Sequence, residues 1–181
     1  VEISFPMKIR TERRYNQAVS ILRGPVYYSL RIGKKFQRTV TKDYYCVPNT
    51  YEFKGTADWE IQPTTDWNYG LLLDPLALGG EITVRRNPIS RFPFADVGDM
   101  LFLDEENRFE TWGEPAPVVL SVKGKALPAW TLKNNSADDP PPSPVLSAEP
   151  IKELELVPYG CARLRITEFP NIVLIFTLMG S

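Results

Sequence analysis

A chain of 181 residues, 43% hydrophobic and 24% charged, has the composition of a protein that folds in water around its own core. Its formal net charge of -1 argues against the broad cationic footprint of a nucleic-acid-binding surface. Histidine is absent, which excludes serine–histidine and cysteine–histidine mechanisms within the chain and removes the commonest nitrogen ligand of metals. Cys46 and Cys161 are the only cysteines, too few for a zinc ribbon or a dense disulfide framework; one bridge between them and two buried thiols both remain open.

The opening stretch VEISFPMKIR alternates and predicts a strand over 1–9, followed by a polar turn over 11–16. A strand at the first residue predicts a fragment cut from a longer polypeptide, and an export signal upstream would make it periplasmic or secreted. The cationic run over 8–14 reads as a solvated surface. A second strand over 18–22 places Val19 and Ile21 on one face, Gly24-Pro25 breaks it, and 26–32 resumes with Val26, Tyr28, Leu30 and Ile32 spaced by two. Gly33-Lys34-Lys35 is turn material, and 36–47 lacks a clear period, so it reads as a loop with room for one short strand.

Further strands are expected over 59–62 and 67–73, separated by Pro63-Thr64-Thr65-Asp66 and closed by Pro75, and again over 82–85. Residues 87–94 read as an irregular surface connection. Residues 118–123 alternate with Val118, Leu120 and Val122 on one side until Gly124 turns the chain. NNSADDPPPSP, 134–144, predicts a long solvent-exposed loop within the domain rather than an interdomain linker. Two strands, 153–158 and 162–167, follow about the turn Pro158-Tyr159-Gly160, and IVLIFTL, 172–178, is a final buried strand, far short of the ~20 residues of a membrane helix. With 17 prolines and 11 glycines interrupting every candidate helix, the expectation is one all-β domain over 1–181. It is an antiparallel two-sheet β-sandwich of jelly-roll type with long proline-rich loops.

The stretch WEIQPTTDWNYGLLLD, 59–74, concentrates aromatic and polar side chains and is the candidate site. Trp59, Glu60, Trp67, Asn68 and Tyr69 form the tentative carbohydrate-binding set, because sugar rings stack their C–H faces on aromatics while amides and carboxylates bind hydroxyls. The competing reading is that Trp59, Trp67, Trp112 and Trp130 are packing residues. Glu60, Asp66 and Asp74 are the residue types of glycoside hydrolysis, which sets two carboxyls roughly 5–10 Å apart, but turn carboxylates are the default and Asp66 suits an Asx cap. Asp96, Asp99, Asp104, Glu105 and Glu106 lack the alternating spacing of a calcium loop. Arg23, before the tight break, reads as a structural anchor. Neither a catalytic set, a metal nor a cofactor is expected.

Three segments carry a resemblance: FPMKIR with VSILRGPVYYSL, then WEIQPTTDWNYGL, then PPSPV with ELVPYGCARLRITEFP. In order and spacing, across residues 3–170, they resemble the C-terminal β-sandwich region of the β-L-arabinofuranosidase-like glycoside hydrolases, glycoside hydrolase family 127 and relatives, bacterial proteins once grouped as a domain of unknown function. The resemblance implies a module that follows and packs against a catalytic α/α-barrel domain of the same polypeptide. That family's zinc, cysteine ligands and cysteine nucleophile belong to the barrel, and none maps here; Cys161 lies in PYGC and takes no catalytic role. The implied function is a non-catalytic docking module of an enzyme acting on arabinose-containing or related plant polysaccharides. The second expectation is a carbohydrate-binding accessory domain, and no membrane or nucleic-acid partner is implied.

Overall fold

The computed structural model describes residues 3, 5–39, 58–74, 81–89, 93–97, 100–103 and 109–173. The first strands are β1 (Ile9–Arg13), β2 (Val19–Arg23), β3 (Val26–Leu30), β4 (Lys34–Thr39), β5 (Asp58–Pro63), β6 (Tyr69–Leu71) and β7 (Thr83–Arg86). They are followed by β8 (Met100–Leu103), β9 (Phe109–Trp112), β10 (Val118–Ala126), β11 (Leu132–Lys133), β12 (Ser136–Ala137) and β13 (Ile151–Pro158). The all-β antiparallel expectation holds.

One sheet organises the molecule, in the order β1-β2-β3-β13-β10-β6, with β7 also on β10. β6 and β7 lie along the same edge of β10: Tyr69 to Leu71 face Ala126 to Gly124, and Thr83 to Arg86 face Ser121 to Val118. They are two pieces of one edge strand. The other described strands form three two-stranded sheets, β4-β5, β8-β9 and β11-β12. The β11-β12 hairpin turns at Asn134-Asn135, both with positive φ (53 and 61), the left-handed pair that asparagine tolerates in such two-residue turns.

The sheet curls around its own core, because its strands alternate. Tyr28, Leu30 and Ile32 point inward together with Leu120 and Val122, Leu154 and Leu156, and Tyr69 and Leu71. Across the open seam runs the extended segment 166–173. Leu30 N–H donates to Ile166 O at 2.9 Å, and Val19 and Phe169 exchange both backbone bonds at 2.8 and 2.9 Å. Leu71 N–H then donates to Pro170 O at 2.9 Å and Ile172 N–H to Leu71 O at 2.8 Å. β2, next to the end strand β1, and β6, at the other end of the strand order, are thus joined through one segment whose Phe169 and Pro170 are fully buried.

Several local expectations are corrected. Among the described residues the first strand begins at Ile9 and occupies Thr11 to Arg13, assigned above to a turn, because β1 pairs with β2 from Ile9↔Arg23 to Arg13↔Val19. Lys34 and Lys35 are strand, not turn, held against Pro63 and Gln62 of β5. Residues 162–167 keep their alternation, with Leu164 and Ile166 on the core and Arg163 and Arg165 exposed. They form no strand, and their bonds to β3 are the Leu30 N–H, which donates to Ile166 O, and the Ser29 hydroxyl, which accepts the Ile166 N–H. Within 134–144, expected as a loop, Ser136 and Ala137 form β12, and the segment is bonded to the rest of the fold. Asn16 Nδ2 donates to Pro140 O at 2.8 Å, Ser143 N–H to Asn16 O at 2.8 Å, and the Trp130 indole N–H to Asp138 O at 2.8 Å. Cys46, Pro75, residues 40–47 and 174–178 lie outside the described residues.

Gly124 does not turn the chain; β10 passes straight through it. A β-carbon there would stand 2.6 Å from Gly70 O and 2.6 Å from Leu154 Cδ1, so glycine serves the close approach of β6. Gly124→Ala must push β6 off β10 and is expected to cost about 1–3 kcal/mol in chemical denaturation.

Candidate functional site

Within the candidate stretch the side chains divide between two places. Trp59 and Glu60 stand on β5 of the small β4-β5 sheet, where the half-buried Trp59 ring meets Phe36 edge-on at 6.4 Å and Glu60 is exposed opposite Gln37. Trp67, Asn68 and Tyr69 lead into β6 at one open end of the curled sheet. Trp67 is half-buried, its ring 5.2 Å from Trp130 at an interplanar angle of 73°. The Asn68 amide is committed to structure: Nδ2 donates to Leu127 O and Trp130 O, both at 3.0 Å, and the Asn68 carbonyl accepts Leu127 N–H at 2.7 Å.

At this end the core-facing stripe changes character. On β13 the inward series Leu156, Leu154 is continued by Lys152, opposite Gly124, which presents no side chain of its own. Lys152 extends along the Tyr69 ring, its Nζ 5.5 Å from the ring centre, and donates to the Tyr69 hydroxyl at 3.3 Å. That hydroxyl donates to Asp66 Oδ2 at 3.3 Å, and Lys152 Nζ stands 3.6 Å from the same carboxylate oxygen. The Tyr69 hydroxyl first, and then Asp66, hold the Lys152 ammonium above its ordinary pKa. Lys152 was not among the residues expected from sequence; the only local signal is a cation on the inward phase of an apolar strand.

The outer face carries a second cluster. Arg31 grips Asp96 with two guanidinium nitrogens, Nε at 2.6 Å and Nη2 closer, and reaches Glu155 through Nη1 at 2.6 Å. Glu155 also accepts from Arg85 at 2.8 Å, and Asp96 accepts the Ala116 N–H at 3.1 Å. Burial pushes the Asp96 carboxyl up, but the Arg31 guanidinium, with the Val97 and Ala116 N–H groups, outweighs it and holds the pKa below its ordinary value. Asp96 is therefore an anchor for the segment 93–97, not a cation ligand; Asp99, Asp104, Glu105 and Glu106 lie outside the described residues. Beneath the segment, the buried Cys161 thiol donates to Pro93 O at 3.4 Å.

The cationic run, with Lys8, Arg10, Arg13 and Arg14 against Glu12, keeps a positive charge; within it Glu12 accepts from Arg10 and from the Tyr27 hydroxyl (2.5 Å), and Arg14 donates to Tyr27 at 2.7 Å. Arg23 is buried beside Tyr28, whose phenol is raised by burial against the opposing effect of that guanidinium. Among the described residues, no three cysteine, aspartate or glutamate side chains gather as a metal site would require.

Fold and site together define an all-β protein built on a curled antiparallel sheet, with a polar mouth at one end and an ion-paired outer face. No protein-family model matches the chain, and no curated protein or solved structure is significantly similar to it.

Proposed function

We propose that this chain is the non-catalytic C-terminal β-module of a glycoside hydrolase acting on arabinose-containing or related plant polysaccharides, docked against the catalytic α/α-barrel domain of the same polypeptide. The observation that carries the docking is a rigid mount for exposed apolar side chains. Asp96, 2% exposed and clamped by Arg31, stands between Phe94, 75% exposed, and Val97, 56% exposed. The Phe94 ring rests on Gly160, beside Tyr159, which is itself 46% exposed. Such a mount holds apolar groups in place before they are covered, so little conformational entropy is lost when a neighbouring surface buries them. The glycosidase context is supported by the likeness of the three motif segments.

Phe94→Ser separates docking from folding. The variant should leave the melting of the isolated 181-residue chain nearly unchanged, since the ring is already in water. In the full polypeptide it should weaken the assembled protein by about 1–2 kcal/mol, the transfer free energy of the lost side chain. Equal melting of the barrel with and without the β-module would sink the reading.

A further inference from the structure

We propose that the mouth of the curled sheet binds one residue of a neutral carbohydrate, Asp66 and Lys152 engaging two adjacent ring hydroxyls while Pro63 and Trp67 receive the sugar's C–H face. This stands on a different surface from the Phe94 patch and is independent of the docking reading.

Two depressions meet at the mouth. The polar one is lined by Thr64, Thr65, Asp66, Tyr69 and Lys152. The more apolar one, about 200 Å³ in volume, is lined chiefly by Ile32, Ile61, Leu132, Leu164 and Ile166, with Asn135, Ser136 and Arg165 also on its wall. Pro63 and Trp67 line both, so a molecule seated there meets carbon on one side and donors and acceptors on the other. A purely apolar ligand would cover Asp66 and Lys152 without replacing their water. An ionic ligand would meet two charges that cancel each other, 3.6 Å apart. A sugar ring carries both surfaces on one rigid frame, and its hydroxyls both donate and accept. One hydroxyl accepts from Lys152 Nζ while its neighbour donates to the Asp66 carboxylate, spanning the separation the two side chains already hold.

The site is also pre-ordered. The Trp67 ring is fixed by its edge contact with Trp130, and its backbone neighbour Asn68 is locked to the 127–130 turn. Gly33 N–H donates to Thr65 Oγ1 at 2.9 Å, and Thr64 N–H to Gly33 O at 2.8 Å, so the loop that carries Asp66 is pinned to the main chain. Arg165, on the apolar side, is turned away: it stacks on Tyr159 at 4.4 Å and donates to the Tyr159 carbonyl. An exposed Lys–Asp pair contributes little to folding, which makes its removal a clean probe of binding.

The full chain, labelled with nitrogen-15, is titrated with the methyl glycosides of arabinose, xylose, galactose and glucose, and with their per-O-methylated forms. Saturable shifts of the Trp67 indole N–H and of the 64–69 amides are expected with at least one free glycoside and with none of the methylated forms. Asp66→Ala and Lys152→Ala should each weaken that binding about tenfold, the loss of one hydrogen bond to a charged group, with melting unchanged. The proposal is overturned by the absence of a saturable shift at Trp67 with every glycoside, by undiminished affinity in both variants, or by equal binding of the methylated sugars.

Discussion

Asp96→Ala is expected to lower stability by about 3 kcal/mol, at the low end of what removal of one partner from a buried ion pair costs. Arg31 is left half-buried without its bidentate partner, and the Ala116 N–H loses its acceptor. Glu155 still reaches Arg31, which keeps the loss from being larger. A fall in the midpoint of guanidinium unfolding with an unchanged slope is the expected record. The pH dependence gives a second check. The folded-state pKa of Asp96 lies below its ordinary value of 3.8, so its contribution is complete above about pH 4 and fades as acid takes the protein down through the folded-state value. Asp96→Asn removes that dependence. If burial prevailed over Arg31, the carboxyl would be raised and acidification through pH 4 would strengthen the fold, the opposite result.

Phe169→Ala is expected to cost about 3–5 kcal/mol, the usual consequence of emptying a fully buried aromatic position. Its ring fills the curl while its backbone is bonded to Val19 on both sides, so the cavity opens at the seam. Hydrogen exchange should report this as lost protection at Val19 and Leu71, which bond to 169 and 170, before any loss at Leu120 in the middle of the sheet. Phe169→Leu, which keeps most of the volume, should cost about 1.5 kcal/mol or less. Matching protection losses at Val19 and Leu120 would show that the seam does not open separately.

What could be read from sequence was whatever depends on the nearest residues. Val26, Tyr28, Leu30 and Ile32, and again Val118, Leu120 and Val122, face the core as their spacing of two predicts. Gly124 illustrates the limit: a glycine after an alternating run reads as a turn, yet here it makes room for a strand arriving from Gly70. The outer ion pairs were invisible for the same reason, since Arg31 meets Asp96 across 65 residues of chain and Glu155 across 124. At the mouth, Trp67, Asn68 and Tyr69 were visible as neighbours in sequence. Their companion Lys152 comes from 83 residues beyond Tyr69, and Trp59 and Glu60, adjacent in the motif, stand on another sheet. A phenylalanine flanked by Glu168 and Pro170 has no period to announce it, so the residue that fills the seam carried no local signature.

The seam between Val19 and Phe169 also has a bearing on how the chain is made. Ser29 waits for Ile166, 137 residues downstream, and no local hairpin can substitute for that contact. During synthesis, β1, β2 and β3 leave the ribosome long before the segment that completes their sheet, with Ile21, Tyr28 and Leu30 lacking their final cover. Folding dominated by such distant pairings is slow, and the nascent chain is open to aggregation throughout the delay. A previously folded domain at its N-terminal side, or a chaperone, would shelter it during that interval, and truncation upstream of Phe169 should yield a species that is captured or precipitates rather than a smaller folded protein.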